Sequence, residues 1–265
     1  MALVTGAGRR IGAAIAQELA HQGWDLALHH RHSGQEAQAL GKTLKTLGGR
    51  AECFQADLSE EDQTQRLVER VVSTLGRLDA VINNASVFEY DSIADFSYAR
   101  LEYHWRTNTA APIALARALH AHVSSRSHPD SGPAAAPISP CVINLLDQKL
   151  WNPNPDYLSY TLSKAALEAA NTLLAQALAP QVRVCGLAPG VTLVSGPMSE
   201  SGFQSAHTMT PLGRSSTPQD IARAAAFLLQ SPAITGTTLL VDGGQHLSAQ
   251  GRDVLFLTPE ANAPR

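Results

Sequence analysis

Cysteine is scarce and unpaired in this 265-residue chain: Cys53, Cys141 and Cys185 lie far apart and form no CxxC motif. A disulfide framework or thiolate zinc site is therefore excluded, and a reducing compartment fits better. No run of about 18 apolar residues occurs, so nothing reads as a membrane span. The N-terminus lacks a basic region followed by a long apolar stretch, so nothing reads as a secretion signal, and the expected location is cytoplasmic. Net charge is only −3 with the signs interspersed, which offers no handle to nucleic acid or to an anionic membrane. The ten histidines show no HExxH-like spacing, and no metal is expected. Aromatics make up 5% of the chain against 44% hydrophobic residues, so its core must be aliphatic. That composition, at this length, suits one well-buried α/β domain.

What is present is an alternation of strand and helix signals. Strands are expected at 2–4, 24–30, 51–55, 78–82, 142–146, 182–187 and 238–241. Helices are expected at 11–21, 35–47, 60–75 (capped by Ser59), 98–123, 157–178 and 218–229. This order implies right-handed crossovers and a parallel, doubly wound sheet covered on both faces. Residues 124–140, rich in Ser, Pro and Ala, read as a solvated connection, and 193–214 as an irregular substrate lid beyond a strand end. A catalytic domain thus spans 1–247, and the tail 248–265 has no assignment beyond the thought that Arg252 reaches a neighbouring subunit's pocket. The first strand is short enough to suggest that the native start lies upstream.

Thr5-Gly6-Ala7-Gly8-Arg9-Arg10-Ile11-Gly12 follows a strand and opens a helix, the context of a phosphate-binding turn. Gly6, Arg9, Arg10, Ile11 and Gly12 are its candidate cofactor contacts. The second strand ends in His29-His30-Arg31-His32-Ser33, with no Asp or Glu to hold a ribose 2′-hydroxyl. His30, Arg31, His32 and Ser33 would instead welcome a 2′-phosphate, so NADP(H) is expected; the alternative is a solvated polar strand end. Asp57, followed by Leu58, either accepts from an adenine amino group or caps the next helix.

Tyr160 and Lys164 stand four apart on an expected helix and so share a face. An ammonium beside a phenol is expected to lower its pKa towards working range. Asp147, upstream, adds a carboxylate.

Taken together, these residues resemble the short-chain dehydrogenase/reductase family. Thr5-Gly6, Gly12, Asn83-Asn84-Ala85, Asn108, Tyr160, Lys164, Pro189-Gly190 and Asp242-Gly243-Gly244 stand in that family's order over residues 2–247. The resemblance implies seven parallel strands, usually a homotetramer, Tyr160 as proton donor, Lys164 on the nicotinamide ribose and Asn108 on a water-mediated proton path. It also implies cofactor contacts from Asn83, Asn84, Ala85, Ser86, Pro189, Gly190 and Val191. Two departures are informative: Arg10 replaces the middle glycine of the phosphate turn, and Asp147 replaces the usual serine. Both are similar to the pteridine reductase branch, which includes dihydromonapterin reductases. There Arg10 lies near pyrophosphate and pterin, and Phe88 stacks on the pterin opposite the nicotinamide.

An ionised Asp147 would oppose charge developing on a ketone oxygen but can help deliver a proton to a ring nitrogen. The expected activity is NADPH-dependent reduction of dihydropterins, with Arg10, Phe88, Asp147 and Tyr160 meeting the substrate. A general carbonyl or polyol reductase of the same family is the alternative. Enoyl-thioester reduction fits less well, because reductases of that type on this fold space Tyr and Lys more widely. A dinucleotide sensor without chemistry would not need Tyr160 and Lys164. Tyr157 either lines the pocket or caps the helix, and Trp151 is either pocket wall or surface.

Overall fold

The computed structural model describes residues 1–126, 139–196 and 198–258. Seven parallel strands run in the order β3-β2-β1-β4-β5-β6-β7. They are β1 (Ala2–Val4), β2 (Leu26–His30), β3 (Ala51–Gln55), β4 (Ala80–Asn83), β5 (Cys141–Leu145), β6 (Arg183–Pro189) and β7 (Thr238–Val241). Side chains alternate across the sheet, so consecutive strand residues enter different cores. Leu28, Ile82, Ile143 and Leu187 pack with Ile15 and Leu19 of α1 (Arg10–His21) and Ile221 of α8 (Pro218–Gln230). Leu3, Val81, Val142 and Val184 pack with Leu67 of α3 (Glu61–Leu75) and Leu115 of α5 (Ala111–Ser125). Strand order reverses between β1 and β4, and the crevice beyond their carboxyl ends is where such sheets bind ligands. The remaining helices are α2 (Gly34–Lys45), α4 (Tyr98–Trp105), α6 (Leu158–Leu178) and α7 (Glu200–Thr208).

A row of buried amides ties the halves together. Asn83 of β4 donates to Asn144 of β5 at 2.8 Å, Asn144 to Asn171 of α6 at 3.2 Å, and Asn171 to the Thr237 carbonyl at 3.4 Å.

The structure departs from the sequence expectations at four places. The single helix expected over 98–123 is interrupted by a π-helical turn, Arg106–Ala110. Pro112 explains the disturbance: it has no N–H to return to the carbonyl of Asn108 four residues back. Ser59 does not cap α3; its hydroxyl donates to Asp57 at 2.7 Å, and Glu60 holds the N-cap position. The expected lid over 193–214 contains α7, capped by Ser199, whose side chain accepts from the Gly202 amide. Tyr157 precedes α6 in a left-handed conformation (φ 54°, ψ 51°) with no side-chain cap bond. Asp91 caps α6 instead, accepting from the Ser159 amide and hydroxyl. Most of the connection expected over 124–140 lies outside the described residues.

Candidate active site

A cleft of about 680 Å³ opens along the carboxyl ends of the strands. At one end lies the turn between β1 and α1. Gly6 adopts φ +63°, and a Cβ on Gly12 would sit 2.3 Å from the Gly6 carbonyl oxygen. Only glycine closes this turn without displacing backbone. Gly12 is thus buried structure behind the cleft and does not line it, contrary to its expected cofactor contact. Gly6, Arg9, Arg10 and Ile11 do line it. The first turn of α1 carries no acid, so its amides keep their pull on an anion.

Arg10 holds a left-handed backbone conformation of the kind glycine favours, at φ +57°. For a residue with a Cβ this costs about 1–2 kcal/mol. Its guanidinium donates to the Val194 carbonyl at 2.7 Å, which joins the glycine turn to the segment between β6 and α7.

The end of β2 splits its two histidines between opposite faces, as strand geometry requires. His29, not His30, lines the cleft. The Gly6 amide donates to His29 Nδ1 at 3.1 Å, and Nε2 lies 3.1 Å from the Ala56 carbonyl, so the ring proton sits on Nε2. Burial drives the pKa of His29 down to about 4, so the ring is neutral at physiological pH. His30 turns away beneath α2, its Cε1 3.2 Å from where a Cβ on Gly34 would stand. Arg31, His32 and Ser33 line the cleft as expected. Arg31 pairs with Asp57 at 2.8 Å, and Asp57 also accepts from the Ser59 amide and hydroxyl. Burial raises the Asp57 pKa, but these hydrogen bonds outweigh it and hold the carboxyl below its usual range. Asp57 therefore anchors Arg31 and ties down the chain before α3, and with Leu58 it also lines the cleft.

Beyond β4, Thr5 Oγ1 accepts from the amides of Asn84 and Ala85, both at 2.9 Å, fixing this stretch against β1. Asn84, Ala85, Ser86 and Phe88 line the cleft; Asn83 is buried in the amide row instead. Asn108 stands behind this wall with 1% exposure. Its amide oxygen accepts from Ser86 Oγ and the Val87 amide, and its nitrogen donates to the Val87 carbonyl and Ser163 Oγ. Every hydrogen-bonding site of that side chain is engaged, so it clamps the 86–88 loop and has no group left to relay a proton.

At the far end, Tyr160 donates its hydroxyl proton to Asp147 Oδ2 at 2.9 Å, while Asp147 Oδ1 accepts from the Lys149 amide at 2.8 Å. Lys164 donates to the Leu145 carbonyl at 2.7 Å, and its Nζ lies 5.9 Å from the Tyr160 ring centre. Burial raises the Asp147 pKa, outweighing these hydrogen bonds. Burial first, then the Asp147 carboxylate, pushes the Tyr160 phenol well above its ordinary value. Lys164 falls to about 8, because burial opposes its charge more than Asp147 supports it. The expectation that Lys164 lowers the phenol's pKa is thereby corrected: the carboxylate is the phenol's direct partner, and it acts in the opposite direction. Phe88 lies stacked on Tyr157 (ring centres 4.2 Å, planes 13° apart) and edge-on to Tyr160. Tyr157 is thus pocket wall, whereas Trp151 is surface, 38% exposed and away from the cleft.

Pro189, Gly190 and Val191 complete the wall at the end of β6. Several lining residues escaped the sequence reading, among them Gln148, Lys149, Gln245 and the tail residues Asp253, Val254 and Leu255. The tail folds onto its own chain. Arg252 forms two 2.8 Å bonds to Asp156, and buried Lys149 reaches Asp253 at 3.2 Å.

The fold and this cleft define a Rossmann-type oxidoreductase built around a tyrosine–lysine pair. The chain belongs to the short-chain dehydrogenase/reductase family: the family model described as enoyl-(acyl carrier protein) reductase matches residues 6–246. An uncharacterised oxidoreductase of Methylorubrum extorquens is 33% identical, covering 92% of this chain and 96% of its own. A granaticin polyketide synthase putative ketoacyl reductase of Streptomyces violaceoruber is 31% identical, covering 93% and 96%. Among solved structures, FolM alternative dihydrofolate reductase 1 of Brucella canis, complexed with NADP, is 34% identical with a TM-score of 0.86, covering 95% and 96%.

Proposed function

We propose that this protein is an NADPH-dependent reductase of dihydropterins. The observation that carries the reading is the Tyr160–Asp147 hydrogen bond of 2.9 Å, set in a wall that also bears the Phe88 ring. The likeness to the Brucella alternative dihydrofolate reductase supports it. So does Arg10, which stands at the glycine turn and touches the segment between β6 and α7.

The cofactor is NADP(H). The glycine closures at Gly6 and Gly12 and the acid-free first turn of α1 suit a pyrophosphate, while Arg31, His32 and Ser33 suit a 2′-phosphate. When bound, NADPH supplies the hydride. Lys164 lies where its ammonium can meet the nicotinamide ribose, with the anionic cofactor restoring the charge that burial weakens. Asp147 and Tyr160 act as one proton-holding unit: the single proton they share passes to the ring nitrogen as hydride reaches the carbon, and water replaces it afterwards. One face of Phe88 is taken by Tyr157, and the substrate ring stacks on the other.

The family model's enoyl reductase description does not set the substrate, and Tyr160 and Lys164 keep the four-residue spacing. A ketone reductase would meet Asp147 as an opposing charge. The deciding experiment follows NADPH oxidation with dihydromonapterin, dihydrobiopterin, dihydrofolate and a panel of ketones. Turnover of ketones with none of any dihydropterin would refute this reading.

A further inference from the structure

Gln148 is the one polar side chain of the 147–149 stretch without a partner. Its neighbours are engaged: Asp147 with Tyr160, and Lys149 with Asn154 and Asp253. Its backbone is fixed, since Asp147 caps the short turn Gln148–Leu150 and the Gln148 carbonyl accepts from the Trp151 amide at 2.9 Å. Gln148 lines the cleft, yet it is only 8% exposed, and its amide oxygen has no donor. The amide nitrogen is not among the buried unpaired atoms, so the orphaned group is the oxygen. A buried amide left unpaired lowers stability, so a protein that keeps one in a binding cleft has a use for it.

Resting on the dihydropterin reading, we infer that Gln148 is a specificity-determining residue that pairs with the pyrimidine edge of the substrate. That edge sets two adjacent N–H donors between a ring-nitrogen lone pair and a carbonyl oxygen, all in one plane. A primary amide offers an acceptor and two donors in one plane and meets such an edge at two points. Ketones and polyols present no such planar edge. The site therefore selects the heterocycle by an amide next in sequence to the proton-delivering acid, independently of the charge of Asp147.

The test is Gln148→Met, close in shape and without hydrogen-bonding groups, with Gln148→Leu as a second variant. Steady-state kinetics use a dihydropterin and a dihydropteridine lacking the amino and oxo substituents; NADPH affinity and Tm are measured alongside. The dihydropterin KM should rise about tenfold, more than kcat falls. The bare ring's KM and the NADPH affinity should hold. Tm should stay or rise, because an unpaired polar group has been removed. An unchanged dihydropterin KM overturns the inference and leaves the proposed function standing. An equal rise for both rings, or a fall in Tm of several degrees in both variants, makes Gln148 a packing residue and overturns it as well. A wild type inert towards every dihydropterin brings down both.

Discussion

The two ends of the cleft are built on different principles. The nucleotide end is mostly local: β1, the glycine turn, α1 and β2 are consecutive, and their close contacts are with backbone, the neutral His29 ring and the short side chains of Ser33 and Asn84. The substrate end is assembled from afar. Arg10 meets Val194, Lys149 meets Asp253, Asp156 meets Arg252, and Asp91 caps a helix that begins at Leu158. The first end has little left to adjust. The second is held by discrete polar ties, each removable by one substitution, which is where a common scaffold can change its substrate.

Four perturbations would sharpen or break that contrast. The largest effect should come from Asp147→Asn, which removes the acid from the proton-holding pair. Dihydropterin kcat should fall about a hundredfold or more, with NADPH affinity unchanged; titration of NADPH fluorescence and stopped-flow turnover separate the two. Next is Gly12→Ala at the other end. Its methyl would meet the Gly6 oxygen at 2.3 Å and Asn84 Nδ2 at 2.6 Å. The expected cost is about 1–3 kcal/mol, seen as a lower Tm together with weaker NADPH binding. If instead only dihydropterin KM moved, the division between the ends would be wrong.

The third perturbation is pH. Lys164 carries its charge below about 8 and loses it above. Anionic cofactor favours the charged form, so binding takes up a proton and must weaken as pH rises past that value, by at most about tenfold per unit. Lys164→Arg keeps its charge throughout and should flatten the profile of NADPH affinity. A wild-type profile already flat across this range would contradict the buried, weakly supported ammonium. The smallest effect on stability belongs to Arg10→Gly. Relief of the left-handed strain, about 1–2 kcal/mol, is partly offset by glycine's extra freedom in the unfolded chain, about 0.5–1 kcal/mol. Tm should hold or rise slightly while dihydropterin KM increases, because the segment between β6 and α7 loses its tie at Val194.

The fold was legible because each element announces itself within a few residues. The runs 24–30 and 51–55 read as strands and form them at Leu26–His30 and Ala51–Gln55, and Ile15 and Leu19 mark the buried stripe of α1. The turn glycines and the Tyr160–Lys164 spacing are likewise local signals. The π-helical turn was also written in the sequence, through Pro112, but the run of helix-forming residues around it hid the missing N–H. His29 rather than His30 reaches the cleft because the strand's alternation persists to its last residue. The Asp147–Tyr160 pair was legible, but Lys149–Asp253, Asp91 at the start of α6 and the burial that raises the Tyr160 pKa depend on chain segments brought together only by folding. No spacing rule reports those.

The row of amides from Asn83 through Asn144 and Asn171 to Thr237 has a bearing on geometry as well as stability. Asn83 adjoins Asn84 on the cofactor wall, and Asn171 lies two turns along α6 from Lys164, on the same face. Greasy surfaces tolerate sliding, whereas directional bonds in a dry interior do not. The Asn84 wall and the α6 face that bears Tyr160 and Lys164 are thereby held to one ruler, and drift at any rung would have to be matched at its neighbour.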